Sequence, residues 1–376
     1  MRGRVRAVAI LVCSFSLIAY VWSARLDAQA KEQGPHYRVL NATTEGNLTV
    51  FPVTSDQSVD AGMLLALDEG IRSGQVIVTE TGQTTGLLRP RPSDRGVWTE
   101  RPIPMPPPGG ARVNELALIN KSERPLLLLA GEIVAGGKQD RVVGKDRIIP
   151  AHSEPVALDV FCVEPHRWTQ VTKNFMPRDF SMAQPSVRSK AMAERNQQEV
   201  WDEVAKSRSA FVAGIAPAEA RIIQSTSSYA GAMQSDAVKR QIDKLATPIK
   251  QSYEKLAGEL RAQHAVGAVV AVNNELIWAD VFASSSLLQS YWPKLIRSYA
   301  AEAVTPRPFP AIARPAPTRQ MAQDFLDALS AKRESIETEP GVFRNTEIVG
   351  DDFNAFILTA LLPNTGFTVH IAKMKS

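Results

Sequence analysis

The densest polar run inside an otherwise apolar stretch is Gly131-Glu132-Ile133-Val134-Ala135-Gly136-Gly137-Lys138-Gln139-Asp140-Arg141. A Gly pair beside Lys138, Gln139 and Arg141 is a set that can hold a phosphate or a carboxylate, through backbone amides and two cations. It is not a Walker loop. Gly131 and Gly137 stand one residue too far apart, Gln139 replaces Ser or Thr, and a strand follows where a helix is required. The alternative is a Gly-rich turn with an internal ion pair such as Glu132–Arg141.

A second cluster is Phe161-Cys162-Val163-Glu164-Pro165-His166-Arg167-Trp168. If 161–166 is extended, Cys162, Glu164 and His166 share one side, where a thiolate–imidazolium pair is conceivable, with Glu164 orienting the ring. The alternative is a buried, inert cysteine. Glu132 and Glu164 are also candidates for an acid–base pair, although sequence does not give their separation. Five His are scattered over the chain with no HExxH, CxxC or His-x-His spacing, so no metal site and no cofactor are expected. No GxSxG elbow, GxGxxG fingerprint or kinase set occurs.

The elements that must position these clusters read as follows. Leu48–Val53 and Gln75–Glu80 are strands, and Ala61–Ile71 has helical spacing. Arg89–Gly110 carries seven Pro and is an extended linker or surface loop. Residues 113–164 hold several short strands without intervening helices, which favours an antiparallel sheet or sandwich. Val238, Ile242, Leu245, Ile249, Tyr253, Leu256 and Leu260 form a helical apolar seam, for packing inside the fold or for a coiled-coil partner. Pro248, preceded by Thr247 as an N-cap, predicts two helices or one kinked helix. A hairpin spans Val266–Phe282, helices cover Ser284–Ala303 and Arg319–Lys332, and strands end the chain. The expected class is α+β: an antiparallel β-sheet or sandwich core with a helical insertion after the first β-rich half.

Composition sets outer bounds. The chain has 376 residues, 44% hydrophobic and 22% charged, which excludes a disordered or collagen-like chain. The formal charge of +4 is largely a property of the first 30 residues, beyond which 39 basic face 38 acidic residues. A near-neutral body makes no electrostatic case for nucleic acid. Arg2, Arg4 and Arg6, the apolar run Ala7–Val21 and Ala28-Gln29-Ala30 have the layout of a secretory signal peptide cut after Ala30. The rival is an uncleaved membrane anchor, although about 15 apolar residues are short for a bilayer that wants about 20. The expected location is secreted or periplasmic, with no stable membrane span after cleavage. Cys162 is then the mature chain's single cysteine, so the fold does not depend on an internal disulfide. The sequons at Asn41, Asn47 and Asn120 matter only in a eukaryotic secretory route.

The stretches Val113–Asn120, Leu126–Arg141, Ile148–Ala151 and Cys162–Trp168 resemble one family, named for its association with ADP-ribosylglycohydrolase and rhodanese-phosphatase proteins (the ARPP domain). That family's pattern is Gly-Glu-Glu, a Gly-x-Lys-Gln-Asn-Arg loop, then Cys-Val-Glu-x-Gly-Arg-Trp. Lys138, Gln139, Arg141, Cys162, Glu164, Arg167 and Trp168 match it; Ile133, Asp140 and Pro165-His166 depart from it. The resemblance extends over Asn47–Lys373 and favours one compound domain (47–180 mainly β, 186–303 helical with a hairpin, 318–373 a helix plus strands). It would follow a leader (1–30) and a flexible tail (31–46). It implies a role beside ADP-ribose-linked systems, by gene association alone.

Three functions remain in view. In a binding module, Lys138, Arg141 and Arg167 clamp an anionic, ADP-ribose- or nucleotide-like ligand, Gln139 hydrogen-bonds to it and Trp168 stacks on a ring. A hydrolase or transferase would use Cys162 or Glu164 on a similar ligand. A structural envelope protein would use the 238–260 seam for partners. The oligomeric state is not legible in the sequence.

Overall fold

In a computed structural model of the chain, residues 35–59, 64–83, 87–89, 103–104, 112–259, 264–305, 314–362 and 366–376 are described. The leader and most of the first Pro-rich connector lie outside them.

The most uniformly apolar strand, β15 (Ala265–Val272), turns back into β16 (Glu275–Phe282) across Asn273 and Asn274, at φ 52° and 61°. Two left-handed residues make the turn that matches strand twist, and Asn tolerates that region better than most side chains. This hairpin lies inside the largest sheet, flanked by further strands on both sides. Its order is β1 (Tyr37–Val39), β3 (Leu48–Ser55), β15, β16, β20 (Phe367–Lys375), β19 (Phe353–Ala360), β18 (Phe343–Val349) and β17 (Arg333–Glu339). The short β2 (Thr43–Glu45) also pairs with β3. The expected flexible tail over 31–46 is therefore corrected for Tyr37–Glu45: two strands of this segment hydrogen-bond to β3.

A second antiparallel sheet runs β14 (Met176–Met182), β10 (Glu132–Ala135), β11 (Arg141–Val143), β13 (Val156–Cys162), β8 (Glu115–Asn120) and β5 (Val76–Glu80). A small sheet of β12 (Arg147–Ile149), β9 (Leu126–Leu128) and β4 (Leu65–Ala66) joins it, and β6 (Leu87–Leu88) pairs with β7 (Ile103–Pro104). The class is α+β with antiparallel main sheets. The helical part falls between β14 and β15: α2 (Pro185–Ser189), a π-turn (Lys190–Glu194), α3 (Gln197–Phe211), α4 (Pro217–Ser225), α5 (Tyr229–Gln234) and α6 (Asp236–Glu259). α1 (Leu67–Arg72) precedes β5, while α7 (Ser285–Val304) and α8 (Arg319–Asp327) follow the hairpin.

The main core joins both sheets to the helices. Val50 and Val270 from the large sheet, Ile133 and Val142 from the second, and Ile242, Ile249, Leu295 and Tyr299 from α6 and α7 belong to it. The seam of α6 is thus covered from within, which answers the question of a coiled-coil partner for Val238–Tyr253. α6 runs unbroken through Pro248. Tyr253 holds the distal half in line by stacking on Trp292 at 4.1 Å and donating its hydroxyl to the Gly267 carbonyl at 2.9 Å.

Other expectations shift at their edges. Of the helix expected over Ala61–Ile71, residues 61–63 lie outside the described residues and Leu65–Ala66 pair instead with Leu126 and Leu127, so the described helix is α1. The Arg319–Lys332 helix stops at Asp327, where the buried Lys373 ammonium donates to the carbonyls of Phe325 and Ala328. Such a cation satisfies the orphan acceptors of a helix end. Asn120 is fully buried, with its amide given to the Arg124 and Pro150 carbonyls, so this sequon is closed in the folded chain.

One buried ionic cluster bolts the layers together. Arg188 of α2 makes a bidentate pair with Asp280 of β16, both bonds 2.9 Å. Trp278 and Tyr299 donate to the same carboxylate, and His370 bridges it to Asp146.

Candidate functional site

Pairing register brings the two polar segments to one end of the second sheet. Arg141 at the start of β11 stands opposite Cys162 at the end of β13, and β5 finishes at Glu80 on the same side. The β10–β11 connection turns through Gly136 (φ 125°) and Gly137 (φ 50°). Both glycines are required: a Cβ on Gly137 would lie 2.2 Å from the Phe175 ring, and one on Gly136 would lie 2.3 Å from Thr172 Oγ1.

The backbone amides of this turn are not available to a ligand. Gly136 N–H donates to Asp140 Oδ1 (2.9 Å), Gly137 N–H to Thr172 Oγ1 (3.0 Å) and Lys138 N–H to Glu80 Oε1 (2.6 Å). The amide cradle expected at the Gly pair is thereby corrected: side chains of the protein fill it. The alternative Glu132–Arg141 pair is absent as well. Glu132 pairs instead with the buried Lys294 at 2.7 Å and accepts from Leu129 N–H.

Arg167 reaches across from the other segment. Its guanidinium donates to Glu164, to Asp140 at 3.4 Å, and to the carbonyls of Gly136, Gly137 and Thr169. Asp140 also accepts from the Ser228 hydroxyl at 2.7 Å, and burial, reinforced by the neighbouring Glu164, raises its pKa. Arg167 is a clasp between the two segments, its charge met by two carboxylates. Gln139 donates to the Glu164 carbonyl at 3.1 Å and leaves its Oε1 buried without a partner.

The Cys162–His166 pairing does not form. β13 ends at Cys162, and His166 sits at φ 72° with an exposed ring, so strand alternation is lost before it. Cys162 is buried; its sulfur accepts from Glu164 N–H at 3.4 Å, and burial pushes the thiol pKa up. That is the reverse of an activated nucleophile. Among the described residues no group of three His, Cys, Asp or Glu is placed to hold a metal ion.

What stays uncommitted is narrow and specific. Arg141 is fully buried; its Nε donates to the Val113 carbonyl at 3.0 Å, while Nη2 has no hydrogen-bond partner. The nearest carboxylate oxygen to Nη2 is Glu80 Oε1 at 3.9 Å, and Glu80 Oε2 is likewise buried and unpartnered. The exposed Trp168 ring lies over both Lys138 Nζ (4.9 Å) and Arg141 Cζ (5.8 Å). By contrast, a cleft of about 340 Å³ near α2 has its lysines already paired, Lys190 with Glu199 and Lys375 with Glu275.

The family model for the ARG and Rhodanese-Phosphatase-superfamily-associated Protein domain matches residues 36–374. The chain belongs to this family. No curated protein and no solved structure matches it. The ARPP match takes in the second sheet, the helical part and the hairpin together. It begins at residue 36, so it also covers the strands β1 and β2.

Glu80 and Ser228 are the site residues that sequence reasoning missed. Glu80 had a weak signal, an acid closing an apolar strand; Ser228 had none, because its contact with Asp140 spans 88 positions.

Proposed function

We propose that this ARPP-family protein is a binding module for an anionic, ADP-ribose- or nucleotide-like small molecule. One observation carries the reading: Arg141 Nη2 is buried without a hydrogen-bond partner, and the exposed Trp168 ring takes both the Arg141 guanidinium and the Lys138 ammonium against it. An unmet guanidinium nitrogen costs stability in an apolar interior, and an anion that reaches it recovers that cost. Lys138 and Arg141 hold the anion, Trp168 stacks on a ring of the ligand, and Arg167, with Gln139, braces the loop from behind. The catalytic alternative has less support, since Cys162, Glu164 and Glu132 are each committed to internal contacts.

Titration of the purified protein with ADP-ribose, followed by tryptophan fluorescence and calorimetry, tests this. Saturable binding that falls at least tenfold in Arg141→Met and in Lys138→Ala is expected. Equal binding in wild type and both variants, or none in wild type, overturns it.

We also infer export through the Arg-rich leader. No helix among the described residues is long and apolar enough to cross a membrane. N-terminal sequencing of the secreted or periplasmic fraction, expected to begin at Lys31, checks the cleavage; a full-length chain held in the membrane would refute it.

A further inference from the structure

The charges around Arg141 restrict what the site accepts. Arg167 is consumed by Glu164 and Asp140. Arg141 then faces one carboxylate, that of Glu80, while Lys138 reaches Glu80 through its backbone N–H and lays its ammonium against Trp168. A bare anion entering beside Arg141 Nη2 meets the Glu80 carboxylate, whose Oε1 is 3.9 Å from that nitrogen and whose Oε2 has no donor. Two negative groups in adjoining positions repel each other unless a hydrogen lies between them. The ligand that satisfies both unmet atoms presents an anionic oxygen to Arg141 and, next to it, an O–H to Glu80.

We propose that Glu80 is a specificity residue that accepts a sugar hydroxyl, so that the site takes a phosphorylated sugar in preference to a simple phosphate ester. The proposal rests on the anion-site reading above. An acidic side chain bound to a sugar hydroxyl beside a bound phosphate is a chemically economical pairing, because one carboxylate both attracts the diol and rejects phosphates that lack it. Oε1 already supports the turn through Lys138 N–H, so the carboxylate is fixed in place before any ligand arrives.

The test compares ribose 5-phosphate with propyl phosphate at about pH 8, where both monoesters are fully ionised and only the first carries hydroxyls. Wild type is expected to bind ribose 5-phosphate about tenfold more tightly, the equivalent of one hydrogen bond to a charged group. Glu80→Gln keeps an acceptor for Lys138 N–H and replaces the free acceptor by a donor; it is expected to erase the preference while retaining propyl phosphate. Glu80→Asp, which keeps the charge and shortens the reach, is expected to reduce it. Equal affinity for the two esters in wild type, or a preference that survives Glu80→Gln, overturns the role of Glu80 and leaves the anion site standing. Failure of both esters and of ADP-ribose to bind wild type removes the anion site and this proposal together. If Glu80→Gln lowers the melting temperature too far to assay, the wild-type ratio and Glu80→Asp decide.

Discussion

The guanidinium of Arg141 lies 5.8 Å beneath the ring of Trp168, with one nitrogen buried and bonded to nothing. Its charge faces the Glu80 carboxylate at 3.9 Å, and what is unmet is a buried N–H donor, which residues placed for stability alone rarely leave. Arg141→Met fills the same volume without the charge. It leaves the buried Glu80 carboxylate without its cation and is expected to lower the melting temperature, a loss that adding Glu80→Gln reverses, while anion binding falls at least tenfold with or without the second change. Stability and anion binding both restored in the Arg141→Met, Glu80→Gln double variant, read by thermal melts and calorimetry, would show that Arg141 is structural.

Arg167 makes the opposite prediction. Its contacts reach Glu164, Asp140 and three carbonyls, and together they tie the β10–β11 turn to the segment after β13. Removing it leaves two buried carboxylates, Asp140 and Glu164, without their shared cation. Arg167→Ala is expected to cost about 2 kcal/mol, below the usual range for a broken buried pair because the side chain retains some exposure. Urea denaturation measures it. A variant of full stability that has lost only ligand binding would return Arg167 to the ligand.

Asp140 is buried in the turn it braces, accepting from Gly136 N–H at 2.9 Å. Burial and the nearby Glu164 raise its pKa, so its charge is held at a cost. An amide keeps one acceptor for Gly136 N–H and Arg167, and the Ser228 hydroxyl can turn to accept from the new N–H. Asp140→Asn is expected to change stability by less than about 1 kcal/mol. It should tighten ADP-ribose binding several-fold by removing a negative charge, and weaker binding in calorimetry would contradict this account.

Cys162 is expected to resist alkylation. Its thiol is buried, its pKa is raised by burial, and the sulfur already accepts a backbone N–H. Iodoacetamide should label it only under denaturing conditions, and Cys162→Ala should bind ADP-ribose as wild type does. Fast labelling of the folded protein, read by mass spectrometry, would reopen the nucleophile reading.

Much of the fold was legible because its signals are local. The Val266–Phe282 hairpin and the apolar seam of α6 are each local, and periodicity reads such patterns directly. Tyr37–Glu45 looked like a tail because its strands are three residues long and polar, and they exist only through pairing with β3. At the site, the types Lys138, Arg141, Arg167 and Trp168 were visible, but their division of labour was not. Which cation is free depends on Glu80, Asp140 and Glu164, whose positions come from strand register, and spacing along the chain carries no record of that. The buried cluster around Asp280 was invisible for the same reason: Arg188 and His370 are 92 and 90 residues from it in sequence.

That cluster gives the protein a defined response to alkali. His370 is fully buried and lies between Asp146 (2.6 Å) and Asp280 (3.1 Å). Burial alone would lower its pKa, but the two carboxylates outweigh this and raise it to about 9. A histidine raised in the folded state contributes stability in full below its unfolded pKa of about 6.5, and that contribution is lost as pH climbs through the folded value. The shift corresponds to at most about 3 kcal/mol. Stability is therefore expected to decline between about pH 6.5 and 9, measured by urea denaturation at fixed ionic strength. His370→Gln is expected to be less stable at neutral pH and to flatten that decline, because an amide does not titrate. Asp280, held well below the usual carboxylate range by Arg188 and His370 against the cost of burial, acts at the other end: its contribution is present above about pH 4 and fades only in strong acid. A wild-type profile with no slope between pH 6.5 and 9, or a His370→Gln profile with the same slope, would show that the imidazole is not the charged bridge between the two aspartates.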